Sequence, residues 1–83
     1  MNKSIVGYHW SAHLYAEGAG GTLAYSGGPC DSIEDGQTKA QQALATLLVD
    51  RHCCCAARYL LNVTEERLQG GDRIVWLEER KLK

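Results

Sequence analysis

The side chains with the most chemistry in them are four cysteines, three histidines and a serine set between two of those histidines. His52, Cys53, Cys54 and Cys55 run consecutively, and Cys30 stands apart. Thiolate and imidazole bind zinc well, but structural zinc sites space their ligands so that four side chains converge on a tetrahedron. Neighbouring residues of a strand point to opposite faces. Cys53 and Cys55 could therefore face one ion, and Cys30 with one histidine would have to complete it. Free cysteine is also among the most buried residue types. The expectation is small core residues, with no metal ligand and no cofactor.

His9, Ser11 and His13 alternate along one extended run. Alternate residues of a strand lie roughly 6.6 Å apart, which puts the two histidines about 13 Å from each other, too far to share an ion. Neither is expected to pair with Ser11 as base and nucleophile without rearrangement, and the spacing gives no reason to bring in Glu17 or Asp31 as a third member. The glycines of Glu17-Gly18-Ala19-Gly20-Gly21 lack the Lys-Ser/Thr pair of a phosphate loop and do not lie between a strand and a helix. They read as a hairpin turn. No catalytic residue is expected, and the chain is read as a non-enzyme.

Six aromatic residues, Tyr8, Trp10, Tyr15, Tyr25, Tyr59 and Trp76, are many for so short a chain, and phenylalanine is absent. Tyr and Trp combine large apolar area with a polar tip and are enriched at protein interfaces. Two readings stand. Either the rings fill the core, or those left on an uncovered sheet face, Tyr15 and Trp76 among them, form a docking patch. Aromatic and Arg residues dominate binding hot spots, so Trp10, Tyr15, Arg73 and Trp76 are the expected partner-binding anchors.

The elements that would carry these residues are organised around one helix at 31–51. Ile33, Gln37, Ala40, Ala43, Leu44, Leu47 and Leu48 recur at steps of three and four and form one stripe. Asp31 or Ser32 can cap its start, and Glu34 or Asp35 is placed to complete a capping box. Gly36 reads as a flaw in the first turns, costing about 1 kcal/mol against Ala. On the N-terminal side, a hairpin is expected over 4–26. Val6, Tyr8, Trp10, Ala12, Leu14 and Ala16 share the better core face of its first strand. Gly27-Gly28-Pro29 should end the second strand. A second hairpin is expected over 54–79, with Cys53, Cys55, Ala57, Tyr59, Leu61 and Val63 on one side of the third strand and Arg58 and Asn62 on the other. Gly70-Gly71-Asp72 marks its turn. The order is ββαββ, an α+β fold in which a four-stranded antiparallel sheet has one helix on one face.

Eighty-three residues make one domain, 1–83, and a hydrophobic share of 45% with 23% charged residues is ordinary for a globular chain. The formal net charge of −1 argues against a protein that binds mainly through phosphates. The first residues, MNKSIVGYHW, contain no apolar targeting segment, and no stretch approaches membrane-spanning length. A cytoplasmic protein that does not contact membranes is expected.

In size and element order the chain resembles the small phage and mobile-element proteins that inhibit bacterial defence, the anti-CRISPR type. The likeness is carried by the first hairpin, the acidic-capped helix DSIEDGQTKAQQALATLL and the closing strand GGDRIVWLEERKLK. It implies a stoichiometric inhibitor that blocks a surface of a larger protein or nucleoprotein complex. The chain is also similar to the sheet-and-helix domain of HicB-type antitoxins, without their following DNA-binding segment. The expected function is a non-enzymatic protein-binding module, with a homodimer as a further option. The alternatives are a single-stranded nucleic-acid-binding module that stacks bases on sheet aromatics, and a small zinc-dependent protein using Cys and His.

Overall fold

A computed structural model describes residues 5–17, 21–49 and 56–82. Cys53, Cys54 and Cys55 lie outside the described residues, as do three of the residues of the first expected turn. The elements are β1 (Ile5–Ala16), β2 (Thr22–Cys30), α1 (Ile33–Leu47), β3 (Ala56–Arg67) and β4 (Arg73–Lys81). They form the expected α+β arrangement, one antiparallel sheet in the order β2-β1-β3-β4. The two strands that flank the helix in sequence, β2 and β3, are not neighbours. β1 and β3 form the sheet centre, so residues from both hairpins meet across it.

Ser32 caps α1: its Oγ accepts the Asp35 N–H at 3.0 Å. Asp35 in turn accepts the Asp31 N–H at 3.0 Å and an ammonium hydrogen of Lys39 at 2.8 Å. This departs from a strict capping box, in which the returning acid would take the cap residue's own N–H. The Lys39 ammonium first, and the Asp31 N–H second, hold the Asp35 carboxyl below its ordinary value.

The stripe of α1 lies on the even-numbered face of β1. Ala12, Leu14 and Val63 are wholly inaccessible to solvent and Leu61 is nearly so, with Ala40 of the helix packed among them. Burying each of the larger aliphatic side chains contributes about 1.5–3 kcal/mol. Trp10, Tyr59 and Trp76 pack against this core from its margins, with Ala43, Leu44 and Leu47.

Three sequence expectations are corrected by this packing. Gly36 is a requirement of close approach: a Cβ there would stand 2.7 Å from Val63 Cγ2 and 2.8 Å from Cys30 Sγ. Strand β2 does not stop at Ser26 but continues through Gly27, Gly28 and Pro29 to the buried Cys30. It is an edge strand, where proline is tolerated, and the Trp10 indole lies over Gly28, its Nε1 at ordinary contact distance, 3.4 Å, from where a Cβ would stand. Finally, a register irregularity between Tyr15 and Ala16 pairs Ala16 with Ala56. Ala56 is therefore buried at the start of β3, and Ala57 is only half-buried. Gly70 and Gly71, with φ of +85° and +76°, make the β3–β4 turn where glycine carries no steric cost.

Candidate functional site

The helix covers one face of the sheet, and the other holds the odd-numbered side chains of β1 with their register partners. Across its middle run Gly27, Ser11, Asn62 and Leu77. On one side of that row lie Tyr25, His13, Leu60 and Glu79, followed by Tyr15, Arg58 and Lys81. On the other side lie His9, Thr64 and Ile74, with Glu66 beyond them. Each central side chain comes from a different strand, so only strand pairing brings them together.

Ser11 Oγ donates to Asn62 Oδ1 at 2.9 Å, and His13 Nε2 lies 3.3 Å from the same Ser11 oxygen. Two residues apart on one strand, Ser11 and His13 do meet, against expectation, because the imidazole lies along the strand toward its neighbour. With the hydroxyl proton directed to Asn62, the trio ties β1 to β3. Burial lowers the His13 pKa from its ordinary 6.5 and favours the neutral ring.

An aromatic and cationic cluster adjoins the trio. The His13 ring stacks on Tyr15, with centroids 6.0 Å apart and planes 9° from parallel, and meets Tyr25 at 4.8 Å in a tilted arrangement. The Arg58 guanidinium carbon sits 4.3 Å from the Tyr15 ring centre, within cation–π range. Arg58 also donates to Glu79 at 3.0 Å. At the opposite end, His9 Nδ1 is 3.3 Å from Glu66 Oε1. A groove of about 300 Å³ opens there, with Ser11, Tyr25, Asn62, Thr64, Glu66 and Asp72 along it. A second groove of about 320 Å³ is lined by Arg58, Glu79, Arg80 and Lys81.

Of the four anchors expected from sequence, Tyr15 lies on this uncovered face. Arg73 is exposed at the start of β4, paired in register with Glu65. Trp10 and Trp76 pack on the helix side against the core, and Trp10 is also among the residues along the groove at the His9 end. Sequence reasoning missed Arg58, Tyr25 and His13 as companions of Tyr15. Strand alternation had already put His13 beside Tyr15, but nothing local to the sequence gives the register that adds Arg58 and Tyr25.

Cys30 is buried beside Gly36. Burial first, and Asp35 second, push its thiol pKa up, the direction of an unreactive core cysteine. Among the described residues, no three of the His, Cys, Asp and Glu side chains are grouped so as to hold a metal ion, and no helix is long and apolar enough to cross a membrane. No family model, curated protein or solved structure matches the chain.

Proposed function

We propose that this protein is a non-enzymatic protein-binding module whose working surface is the sheet face opposite α1. One observation carries the reading: Tyr15, Arg58, His13 and Tyr25, drawn from three strands, form one cluster on the face that the helix leaves uncovered. Tyr supplies large contact area at little conformational cost, and Arg supplies directional hydrogen bonds, which is why both anchor interfaces. Pre-stacking fixes their rotamers before a partner arrives, which lowers the ordering cost of association. Trp10 and Trp76 support the sheet from the helix side, and Arg73 stands at its rim.

In its fuller form the proposal is a cytoplasmic phage or mobile-element inhibitor that blocks a surface of a larger protein or nucleoprotein complex. That part rests on the likeness in size and ββαββ plan to anti-CRISPR-type proteins. A second reading, single-stranded nucleic acid stacked on the same rings, is favoured by the Tyr15–Arg58 pair, since bases stack on both group types. The open-face carboxylates Glu66, Asp72 and Glu79 weigh against it.

The test is affinity capture of the tagged protein from its source host, with and without nuclease, beside a Tyr15→Ala/Arg58→Ala variant. A defined protein that survives nuclease and is lost with the variant supports the reading. Recovery of nucleic acid alone would replace it with base stacking.

A further inference from the structure

We infer that the uncovered face pairs with a second copy of the chain in a two-fold dimer. The inference rests on the reading of that face as a protein-binding surface, and it names one occupant. The argument is the polarity of the face about its central row, Ser11–Asn62–Leu77. Four residues to one side of Asn62 on β3 stands Arg58, with Lys81 beside it in register on β4; Glu79 pairs with Arg58 there at 3.0 Å, and the two cations leave that end with an excess of positive charge. Four residues to the other side stands Glu66, which shares its groove with Asp72. Arg58 and Glu66 are thus about 26 Å apart at strand spacing, and equidistant from the centre.

Take a half-turn about an axis between two such faces, perpendicular to the strands and through the central row. It sets Arg58 and Lys81 of each copy over Glu66 and Asp72 of the other. Leu77, 53% exposed, then meets its own counterpart, while Tyr25 and Ile74, 59% and 57% exposed, move out of water. Stacked sheets cross at about 30°, which displaces the ends by about 7 Å, within the span of Arg and Lys side chains. A half-turn about an axis along the strands would instead lay β3 over β1, so that Arg58 falls over Tyr15 and Glu66 over Gly7 with no opposite charge across from either; the charges therefore select one orientation. Exposed ion pairs add little affinity but fix register and reject wrong alignments.

A face of four strands, about 30 Å by 19 Å at standard spacings, removes on the order of 1,000 Å² in total. That is the lower limit for a specific interface. The dimer is therefore concentration-dependent, and a partner that uses the same face competes with it.

Sedimentation equilibrium at low salt tests this across about 5 to 500 μM, the span expected for an interface near that limit. Wild type is expected to pass from monomer to dimer. Glu66→Arg and Arg58→Glu should each shift the transition at least about tenfold upward, and the double variant Arg58→Glu/Glu66→Arg should recover it, because the swapped charges meet again across the axis. Circular dichroism checks that each variant is folded. A wild type that stays monomeric throughout, or dimerisation indifferent to both single reversals, overturns the dimer. Neither result touches the proposed function, which fails instead if partner capture is undiminished by Tyr15→Ala/Arg58→Ala.

Discussion

Gly36 and His13 show how a residue's role depends on what stands against it. By helix propensity alone, Gly36→Ala should stabilise by about 1 kcal/mol. The new methyl would, however, drive into Val63, a stiff β-branched side chain with no exposed surface, and into Cys30. Overpacking of this kind costs about 1–3 kcal/mol, so Gly36→Ala is expected to lower the urea midpoint; a raised midpoint would refute the close approach. His13 carries a pH dependence. Its folded pKa is depressed below 6.5 by burial, so the fold binds the proton less well than the unfolded chain does. The stability it contributes is full above 6.5 and is lost as pH falls from there toward the depressed value. Unfolding midpoints taken between pH 7.5 and 5 should decline in wild type and be flatter in His13→Gln. Equal slopes would remove His13 as the cause.

Helix α1 begins where a cap and a paired acid agree, and the cap can be tested apart from the packing. Ser32→Ala removes the acceptor of the Asp35 N–H and is expected to cost about 1 kcal/mol. Asp35 has the opposite pH signature to a raised base. Because Lys39 and the Asp31 N–H lower its pKa, its contribution is present above 3.8 and is lost as pH falls through the depressed value. Asp35→Asn should therefore flatten the acid end of the stability profile, below the window in which His13 acts. The strands depend on burial more than on caps. Leu61→Ala, at the centre of β3 under the helix, is expected to cost about 2–5 kcal/mol, measured by the same denaturation.

At the scale of the whole molecule, the prediction is that stability and binding lie on opposite faces of one sheet. Arg58→Ala removes a half-exposed ion pair and the cation over Tyr15, interactions worth less than about 1 kcal/mol to the fold. Its unfolding midpoint should move little while partner affinity falls by at least about tenfold, the usual loss at a hot spot. Leu61→Ala should do the reverse, weakening the fold with little effect on affinity at temperatures where it stays folded. If both variants lose binding in proportion to lost stability, the uncovered face has no separate role.

The order ββαββ, the helix stripe and the core face of β1 beyond Val6 were legible from local periodicity, because burial of one side of an element imposes its period on the residues of that element alone. Val6, expected on that face, is 64% exposed at the register irregularity between Ile5 and Gly7. Ala12 and Leu14 are buried and His9, Ser11 and His13 are not, as alternation requires. What only the tertiary structure decided was every relation between elements. Placing β1 beside β3 put Asn62 against Ser11 and Arg58 against Tyr15, and pairing β2 with β1 brought Tyr25 to His13. Those partners are up to 51 residues apart in the chain. Register, bulges and the sharing of a face between strands come from long-range packing, and a one-residue slip reverses every side chain. The same cause turned Gly36 from an apparent flaw into a contact, and moved burial from Ala57 to Ala56.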